Sequence, residues 1–381
     1  MDFNFTDEQN MLRDSVAKFV QNQYDFDTRR KIVKSETGWR QDYWKIFAEE
    51  LGILGAPFSE DHGGLGGGPV ENMIVMEEFG KGLVIEPYLG TVVLGGGFLK
   101  HGGGEQAGDL IGQIIAGEAV LAAAYAEPTG RYNLADLSTT AKKDGAGYVL
   151  SGRKAVVVGA SWATHLIVTA RTSGGQRDRA GVSVFVVPAD AAGVTRRDYP
   201  TVDGLRASEI QFENVKLGAE ALIGQFDGGL DLVELVTDEA IAAISAEAVG
   251  VLRRTHETTL DYARQRKQFG APIASFQVLQ HRMVDMFMQV EQSVSMTYMA
   301  TLKLGESATE RKKAASAAKV QIGKACKFVG QNAIQIHGGM GMTDELAVGH
   351  YFKRATMIEG LFGSVDHHLR RFESLSLDSA A

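Results

Sequence analysis

The hydrophobic pattern of this chain changes its period twice, and this restricts the folds available to it. From residue 1 to about 120, apolar residues recur at the three- and four-residue spacing of helices. Between 121 and 226 they fall in short β-like runs separated by Gly, Asp and Asn. From 227 to 381 long helical patterns return. We therefore predict a mainly α protein with an N-terminal helical domain, a middle antiparallel β-barrel or sheet domain and a C-terminal four-helix bundle.

Local signals define several of these elements. Thr6 followed by Gln9 is a capping-box pattern at the start of the first helix. In the middle segment, the β-like runs cover residues 120–125, 148–150, 155–158, 165–170, 182–187 and 209–212. In the last segment, helical patterns cover residues 230–263, 275–305, 309–337 and 345–375.

Composition excludes several classes of protein. The 381 residues, 44% hydrophobic and 23% charged, predict a globular protein of more than one domain. A net charge of −8 without a basic stripe argues against nucleic-acid binding. We find no apolar run long enough to span a membrane and no signal-peptide pattern. The single cysteine, Cys326, excludes a disulfide framework, so we expect a cytoplasmic protein.

Two motifs in the C-terminal segment carry binding chemistry. Arg266 begins the run Arg-Lys-Gln-Phe-Gly, and Gln335 begins the run Gln-Ile-His-Gly-Gly-Met-Gly. An arginine offers a permanently charged fork to phosphate, and Gly338 and Gly339 leave their backbone N–H groups unobstructed. Arg266 alone is typical of a solvated helix end, but these companions favour a binding role.

In this order and spacing, the motifs resemble the acyl-CoA dehydrogenase family along essentially the whole chain. Weaker similarities accompany them: Phe5-Thr-Asp-Glu-Gln9 is similar to the family's opening, and Ala126-Glu127-Pro128 to the turn that begins its β domain. Gly152-Arg-Lys154 and Asp203-Gly204 are similar to later turns of that domain. The resemblance implies an FAD between the β domain and the bundle, with its adenine end reached by a neighbouring subunit.

Carried over residue by residue, the resemblance implies a set of cofactor contacts. Arg266 would contact the diphosphate across a dimer interface, and Phe269 would pack against the adenosine. Gln335, Gly338 and Gly339 would contact ribose and phosphate.

Further contacts are implied outside these two motifs. Ser364 and Asp366 replace the family's usual Thr and Gln near the adenine ribose. Backbone groups of Tyr125, Ala126 and Val158 would bond the flavin ring. We expect no metal site, because the adjacent histidines 367 and 368 point apart on a helix and no third ligand is suitably spaced.

Two departures from the family pattern concern the flavin and the base. Where the family carries Trp-Ile-Thr against the flavin ring, this chain reads Val156-Val157-Val158. The family's common base position holds Phe362, and its alternative base position holds Ala240. Neither side chain accepts a proton. Ile241 stands where the family has an arginine.

We favour Glu247 as the catalytic base. It shares the helix face of Ala240, about 10 Å further along the axis, and its neighbours are small or apolar. A carboxylate in such a stretch is costly unless it has a role or a partner. Pairing with an Arg of another helix is the structural alternative for Glu247. Glu359, Glu239 or the absence of any base also remain open.

The resemblance implies FAD-dependent α,β-desaturation of an acyl-CoA thioester, with electrons passed to an electron-transfer flavoprotein. The expected assembly is a homodimer or tetramer, or a heterotetramer with a second such subunit. The run Leu361–Leu369 resembles a bacterial branch that acts on dicarboxyl, aromatic or steroid-side-chain acyl-CoAs. One alternative is a non-catalytic partner subunit that completes another chain's FAD site, and another is a flavin oxidase or monooxygenase on the same scaffold.

Overall fold

A computed structural model describes residues 4–378, which form two compact units. One unit combines Met1–Ile32, Pro69–Val84 and Ile241–Ala381, and the other combines Val33–Gly68 and Ile85–Ala240. The units do not coincide with the three predicted segments, because the N-terminal helices divide between them. The ends of the first and last predicted segments, residues 1–3 and 379–381, lie outside the described part.

The order of helical, β and helical segments is the one that the sequence predicts. The helices are α1 (Asp7–Gln23), α2 (Phe26–Lys34), α3 (Gln41–Glu49), α4 (Pro69–Gly82), α5 (Gly96–Gly102), α6 (Ala107–Ile115), α7 (Leu230–Gln265), α8 (Gln277–Leu302), α9 (Ala308–His337), α10 (Ala347–Gly360) and α11 (Val365–Asp378). A π-helical segment, Leu89–Gly95, precedes α5. No helix within residues 4–378 has the length and apolar character needed to cross a membrane.

The predicted capping box begins α1. The hydroxyl of Thr6 accepts a hydrogen bond from the Gln9 backbone N–H at 3.2 Å, and the Gln9 side chain accepts one from the Thr6 N–H at 3.1 Å. Two of the N–H groups that a helix start leaves unpaired are thereby satisfied.

Helix α9 is the centre of the C-terminal bundle and contacts α8, α10 and α11. The predicted last helix, residues 345–375, is two helices instead of one. The chain leaves the helical conformation at Phe362 and Gly363, whose φ angles are +59° and +131°. Only glycine adopts such angles readily, so the interruption at Phe362 is strained. We call Leu361–Ser364 the α10–α11 turn.

The second unit contains the β-sheet. Its strands are β1 (Leu121–Ala124), β2 (Thr140–Asp144), β3 (Gly147–Val158), β4 (His165–Arg171), β5 (Val182–Pro188), β6 (Val194–Pro200), β7 (Arg206–Leu217) and β8 (Leu222–Ile223). Seven of them lie in the order β6-β7-β3-β2-β4-β5-β8, and β1 pairs parallel to β4. Most of the pairs are antiparallel, as predicted.

The predicted runs 148–150 and 155–158 are parts of one bulged strand, β3. Its register against β7 shifts between Leu150 and Gly152, and again between Lys154 and Val157. A Cβ at Gly152 would lie 2.5 Å from the Thr139 Cα, so only glycine fits there. Extra residues of this kind bend a strand and locally increase its twist. The pattern missed β2 and β6, whose exposed, charge-rich sequences lack an apolar run.

Helices α4 and α7 pack backbone to backbone within the helical unit. A Cβ added at Gly80 would overlap the carbonyl oxygen of Glu247, and one added at Gly250 would overlap the carbonyl oxygen of Glu77. Two glycines, one from each helix, therefore set the closeness of this contact. Small residues at a crossing are what allow backbones to approach so far.

We predict that Gly80→Ala lowers the free energy of unfolding by about 2 kcal/mol, because the methyl group must push the helices apart. Gly305→Ala is the matched control, since a Cβ there meets nothing within 4 Å. Urea unfolding followed by circular dichroism measures both variants. Equal stability of the two variants would contradict the tight α4–α7 contact.

Candidate functional site

The Arg266 motif forms an exposed hairpin at the end of α7. Strands β9 (Lys267–Gln268) and β10 (Ala271–Pro272) pair, and Phe269 and Gly270 form the turn with φ angles of +54° and +80°. The Phe269 side chain is 94% exposed. The ring lies edge to face with that of Phe276 at 6.2 Å, but a phenylalanine in the left-handed region with so exposed a side chain gains little from its own fold. The hairpin therefore presents the ring, and beside it the exposed Arg266, to something outside the unit.

The Gln335 motif ends α9. Gln335, Gly338 and Gly339 are exposed, and Gly338 has a φ of +59°. A Cβ added at Gly338 or Gly339 would meet no atom within 4 Å, so packing does not require glycine at either position. Backbone conformation explains Gly338, whereas the fold gives no reason for Gly339. Open space before exposed backbone is what close approach of a ligand needs.

An aromatic stack brings these two motifs together. The Tyr262 and His337 rings lie 4.3 Å apart at an interplanar angle of 24°, and the Tyr262 hydroxyl donates to the His337 carbonyl at 3.3 Å. Tyr262 precedes Arg266 by one helical turn, and His337 directly precedes Gly338. Burial lowers the pKa of His337, so the ring is neutral. Its Nδ1 lies 2.8 Å from the Ala333 carbonyl, which places the proton on that nitrogen.

Ser364 is the last residue of the α10–α11 turn, and Asp366 lies in the first turn of α11. The Ser364 hydroxyl accepts from the His367 N–H at 3.4 Å, and Asp366 is exposed in the first helical turn. Among the described residues, no group of three His, Cys, Asp or Glu side chains is arranged to hold a metal. His368 bonds instead to the Phe362 carbonyl at 3.1 Å, and burial lowers its pKa to about 3.

The remaining predicted contacts lie on the β unit. The Ala126 carbonyl accepts from the Ala155 N–H at 2.9 Å, and Val158 pairs with Ala207 of β7. Burial raises the pKa of the Tyr125 hydroxyl. Val156, at the second bulge of β3, is 49% exposed with a φ of +53°, an outlier for a β-branched residue. The valine that stands in the position of the family's indole is thus turned outward on a strained backbone.

A buried ion pair fixes the turn that contains Ala126. Glu127 accepts from the Lys154 Nζ at 2.8 Å, from the Ser138 N–H at 2.7 Å and from the Thr139 N–H at 3.1 Å. Burial raises the pKa of Glu127, but the Lys154 charge and these hydrogen bonds outweigh it and bring the pKa to about 2. The carboxylate is therefore ionised at neutral pH and holds β3 to the residues that follow β1.

Glu247 forms an ion pair with an arginine of another helix, which is the structural alternative given for it above. Its two carboxylate oxygens accept from Arg354 on α10, at 2.5 Å from Nε and 2.8 Å from the second nitrogen. Glu247 is 5% exposed and Arg354 is 7% exposed. With both oxygens engaged and almost no open surface, this carboxylate is in a poor position to remove a proton from a substrate.

The other two candidate carboxylates also have defined surroundings. Glu239 lies 2.8 Å from the Nε2 of His101 on α5. The Glu359 side chain lies beside Gly323 of α9. Sequence reasoning overlooked Arg354, although a signal for it exists: it falls on the buried face of α10, whose positions are Val348, Tyr351, Arg354, Ala355 and Ile358. A cation at such a position requires an acidic partner.

The donor set of the helical unit fits the ADP portion of a dinucleotide. It combines an exposed guanidinium, an exposed amide, exposed glycine backbone with open space before it, and a helix-capping hydroxyl. The Gly338 N–H itself is used within the fold, since it donates to the Ile334 and Gln335 carbonyls. The residues are Arg266, Gln335, Gly338, Gly339 and Ser364. On the β unit, Val156, Val157 and Val158 of β3 have no polar side-chain atoms, so a flavin ring contacting these residues would form hydrogen bonds only with their main chain.

Comparison with known proteins agrees with this geometry. Models of the acyl-CoA dehydrogenase N-terminal, middle and C-terminal domains match residues 6–118, 122–215 and 227–372. The probable acyl-CoA dehydrogenase YngJ of Bacillus subtilis is 31% identical over 94% of this chain and 95% of its own length. The chain belongs to the acyl-CoA dehydrogenase family. As a member of this family it is a flavoprotein oxidoreductase that acts on acyl-CoA.

Two further relatives of this acyl-CoA dehydrogenase are informative. The caffeyl-CoA reductase–Etf complex subunit CarC of Acetobacterium woodii is 28% identical over 92% of this chain and 93% of its own length. The structure of the ChsE4–ChsE5 complex from Mycobacterium tuberculosis contains a chain that is 26% identical. The TM-score is 0.91, and all of both chains is covered.

We predict that the stability contributed by Glu127 is present above pH 4.5 and is lost as the pH falls toward 2. The sign follows because the pKa is near 4.5 in the unfolded chain and about 2 in the folded one, so protonation favours unfolding between these values. Urea unfolding between pH 3 and pH 7 measures this. The difference between wild type and Glu127→Gln should shrink with falling pH. For the exposed control Glu220→Gln, a similar shrinkage would contradict the assignment.

Proposed function

We propose that this chain is a subunit of a heteromeric, FAD-dependent acyl-CoA dehydrogenase. In this proposal it completes an FAD site, and another subunit supplies the catalytic base. The main support is that none of the three positions considered first for the base has a carboxylate free to remove a proton. Ala240 and Phe362 cannot accept a proton, and Glu247 is bound through both oxygens to Arg354. The proposal therefore replaces Glu247 as base with a carboxylate of the partner.

The retained half of the site supports a binding role for the chain. Arg266 and Phe269 are presented to solvent on a hairpin, and Gln335, Gly338 and Gly339 are open beside it. In our proposal Arg266 contacts the diphosphate, Phe269 packs on the adenosine, and the Gly338–Gly339 backbone contacts phosphate. None of these roles needs a base in the same chain.

A second group of residues completes the proposed contacts. Ser364 and Asp366 bond the adenine ribose, and the main chain of Tyr125, Ala126 and Val158 contacts the flavin ring. The outward, strained Val156 leaves that ring without an aromatic partner from this strand. The two groups together fit a subunit that contributes residues to FAD binding but few that would tune the reactivity of the flavin ring.

The reaction that we propose for the assembly is α,β-desaturation of an acyl-CoA thioester. A bound FAD would supply the acceptor for the β-hydride, and a carboxylate of the partner subunit would remove the α-proton. Electrons then pass to an electron-transfer flavoprotein, a partner suggested by the name of CarC as a subunit of a reductase–Etf complex. A heteromeric assembly is supported by the ChsE4–ChsE5 complex, whose fold this chain shares over its whole length.

The deciding experiment compares the chain alone with the assembly that copurifies with it from its host. Both are titrated anaerobically with a panel of acyl-CoA thioesters while flavin absorbance is followed. We expect bleaching by at least one thioester in the assembly and none with the chain alone. Rapid bleaching of flavin in the isolated chain would overturn the proposal.

We also predict that Glu247→Gln in the assembly leaves the rate of flavin reduction within about threefold of wild type, because the carboxylate is a structural partner of Arg354. Its thermal stability should fall, since an uncompensated buried arginine costs about 3 kcal/mol. The comparison variant is Arg266→Ala, which should lose FAD. A Glu247→Gln assembly with full FAD content but no reduction by substrate would restore Glu247 as the base.

A further inference from the structure

Lys319, in the middle of α9, is fully buried and reaches the end of α10. Its Nζ donates to the carbonyls of Ile358 at 2.9 Å, Glu359 at 2.8 Å and Gly363 at 2.9 Å. The first two carbonyls belong to the last turn of α10, where carbonyls have no partner within the helix. The third belongs to the α10–α11 turn. One ammonium thus uses its three N–H groups on three main-chain acceptors.

This arrangement differs from that of Lys154, which is also fully buried but pairs with Glu127. Burial lowers the pKa of Lys319 to about 8. Keeping an ammonium buried therefore costs free energy, and the hydrogen bonds to the three carbonyls offset this cost. A nonpolar side chain of the same length would fill the space and leave three carbonyls unsatisfied.

His368 holds the same turn from α11. Its Nε2 donates to the Phe362 carbonyl at 3.1 Å, and its Nδ1 lies 3.3 Å from the Ser316 hydroxyl, one turn before Lys319 on α9. A Cβ added at Gly363 would overlap the His368 ring. The strained φ angles of Phe362 and Gly363 are thus maintained from two sides by contacts with α9 and α11.

The consequence for Ser364 follows from its place in the chain. Ser364 directly follows Gly363, whose carbonyl accepts from Lys319. The Ser364 carbonyl accepts from the His368 N–H at 3.1 Å. The Ser364 oxygen accepts from the His367 N–H, so its hydroxyl hydrogen is left to donate to a ligand. The direction in which Ser364 faces is therefore decided by the conformation of the α10–α11 turn.

We propose that Lys319 is the positioning residue of the FAD-contacting turn: its ammonium fixes the turn so that Ser364 and Asp366 are preorganised toward the adenine ribose. This inference rests on the proposed function for its ligand. It assigns to Lys319 no contact with FAD or substrate. Lys319 acts through the turn, and FAD affinity depends on it for that reason.

The first test uses the full chain without FAD and measures hydrogen exchange by mass spectrometry. Lys319→Met should raise exchange about tenfold in the segment 360–369 and leave the remainder of α10 near wild type, since one local tie is lost. Lys319→Arg keeps the charge and the donors and should restore most of the protection. If Lys319→Met does not fold, Lys319→Gln is measured in its place.

The matched control removes the buried ion pair in the middle of α10. The double variant Glu247→Leu with Arg354→Leu replaces that ion pair by apolar side chains, which proteins often tolerate. It should leave exchange in segment 360–369 unchanged. Unchanged exchange in this segment for the Lys319 variants, or an increase spread evenly over all helices of the unit, would show that Lys319 is not a positioning residue of the turn.

The second test measures FAD affinity in the copurified assembly by flavin fluorescence. Lys319→Met should raise the dissociation constant at least tenfold, whereas the Leu–Leu double variant should not raise it. Equal loss in both would reduce Lys319 to a general packing role and overturn the inference. A wild-type assembly that binds no FAD would contradict the proposed function, and the exchange result would still decide the role of Lys319 in the turn.

Discussion

Two buried cations, each hydrogen-bonded to acceptors on another helix, fix the arrangement of the helical unit. Arg354 holds the middle of α10 to Glu247 of α7, and Lys319 holds its end to α9. Each tie removes a charge from water, which costs free energy. Hydrogen bonds to specific acceptors, and not hydrophobic burial, must offset that cost. The first tie fixes α10 against α7, and the second fixes the place where the chain turns into α11.

The pairing with Arg354 also bears on whether Glu247 acts as a base. A carboxylate that acts as a base needs an open approach for the proton donor, whereas Glu247 has both oxygens on one guanidinium and 5% of its surface exposed. The large penalty for leaving Arg354 unpaired means that Glu247 cannot be released for catalysis without loss of stability. In this chain the buried acid holds α7 to α10.

The sequence predicted the element types well, because the hydrophobic periods are long and clear. It predicted the capping box at Thr6 because such a box is local. It missed strands β2 and β6 and the break at Phe362. The two strands are exposed and rich in charged residues. The break depends on Lys319, which is 44 residues before Gly363 in the sequence. Tertiary contacts of this kind leave no local pattern.

For the candidate site, the two motifs identified residues that the structure leaves exposed, and the stack of Tyr262 on His337 brings the two motifs together. Their pairing was not predictable, since it depends on how α7 and α9 cross. The partner of Glu247 was partly predictable, because Arg354 shows up as a cation on an apolar helix face. A buried acid and a buried cation on two predicted helices of one bundle should be tested as a pair before either is given a catalytic role.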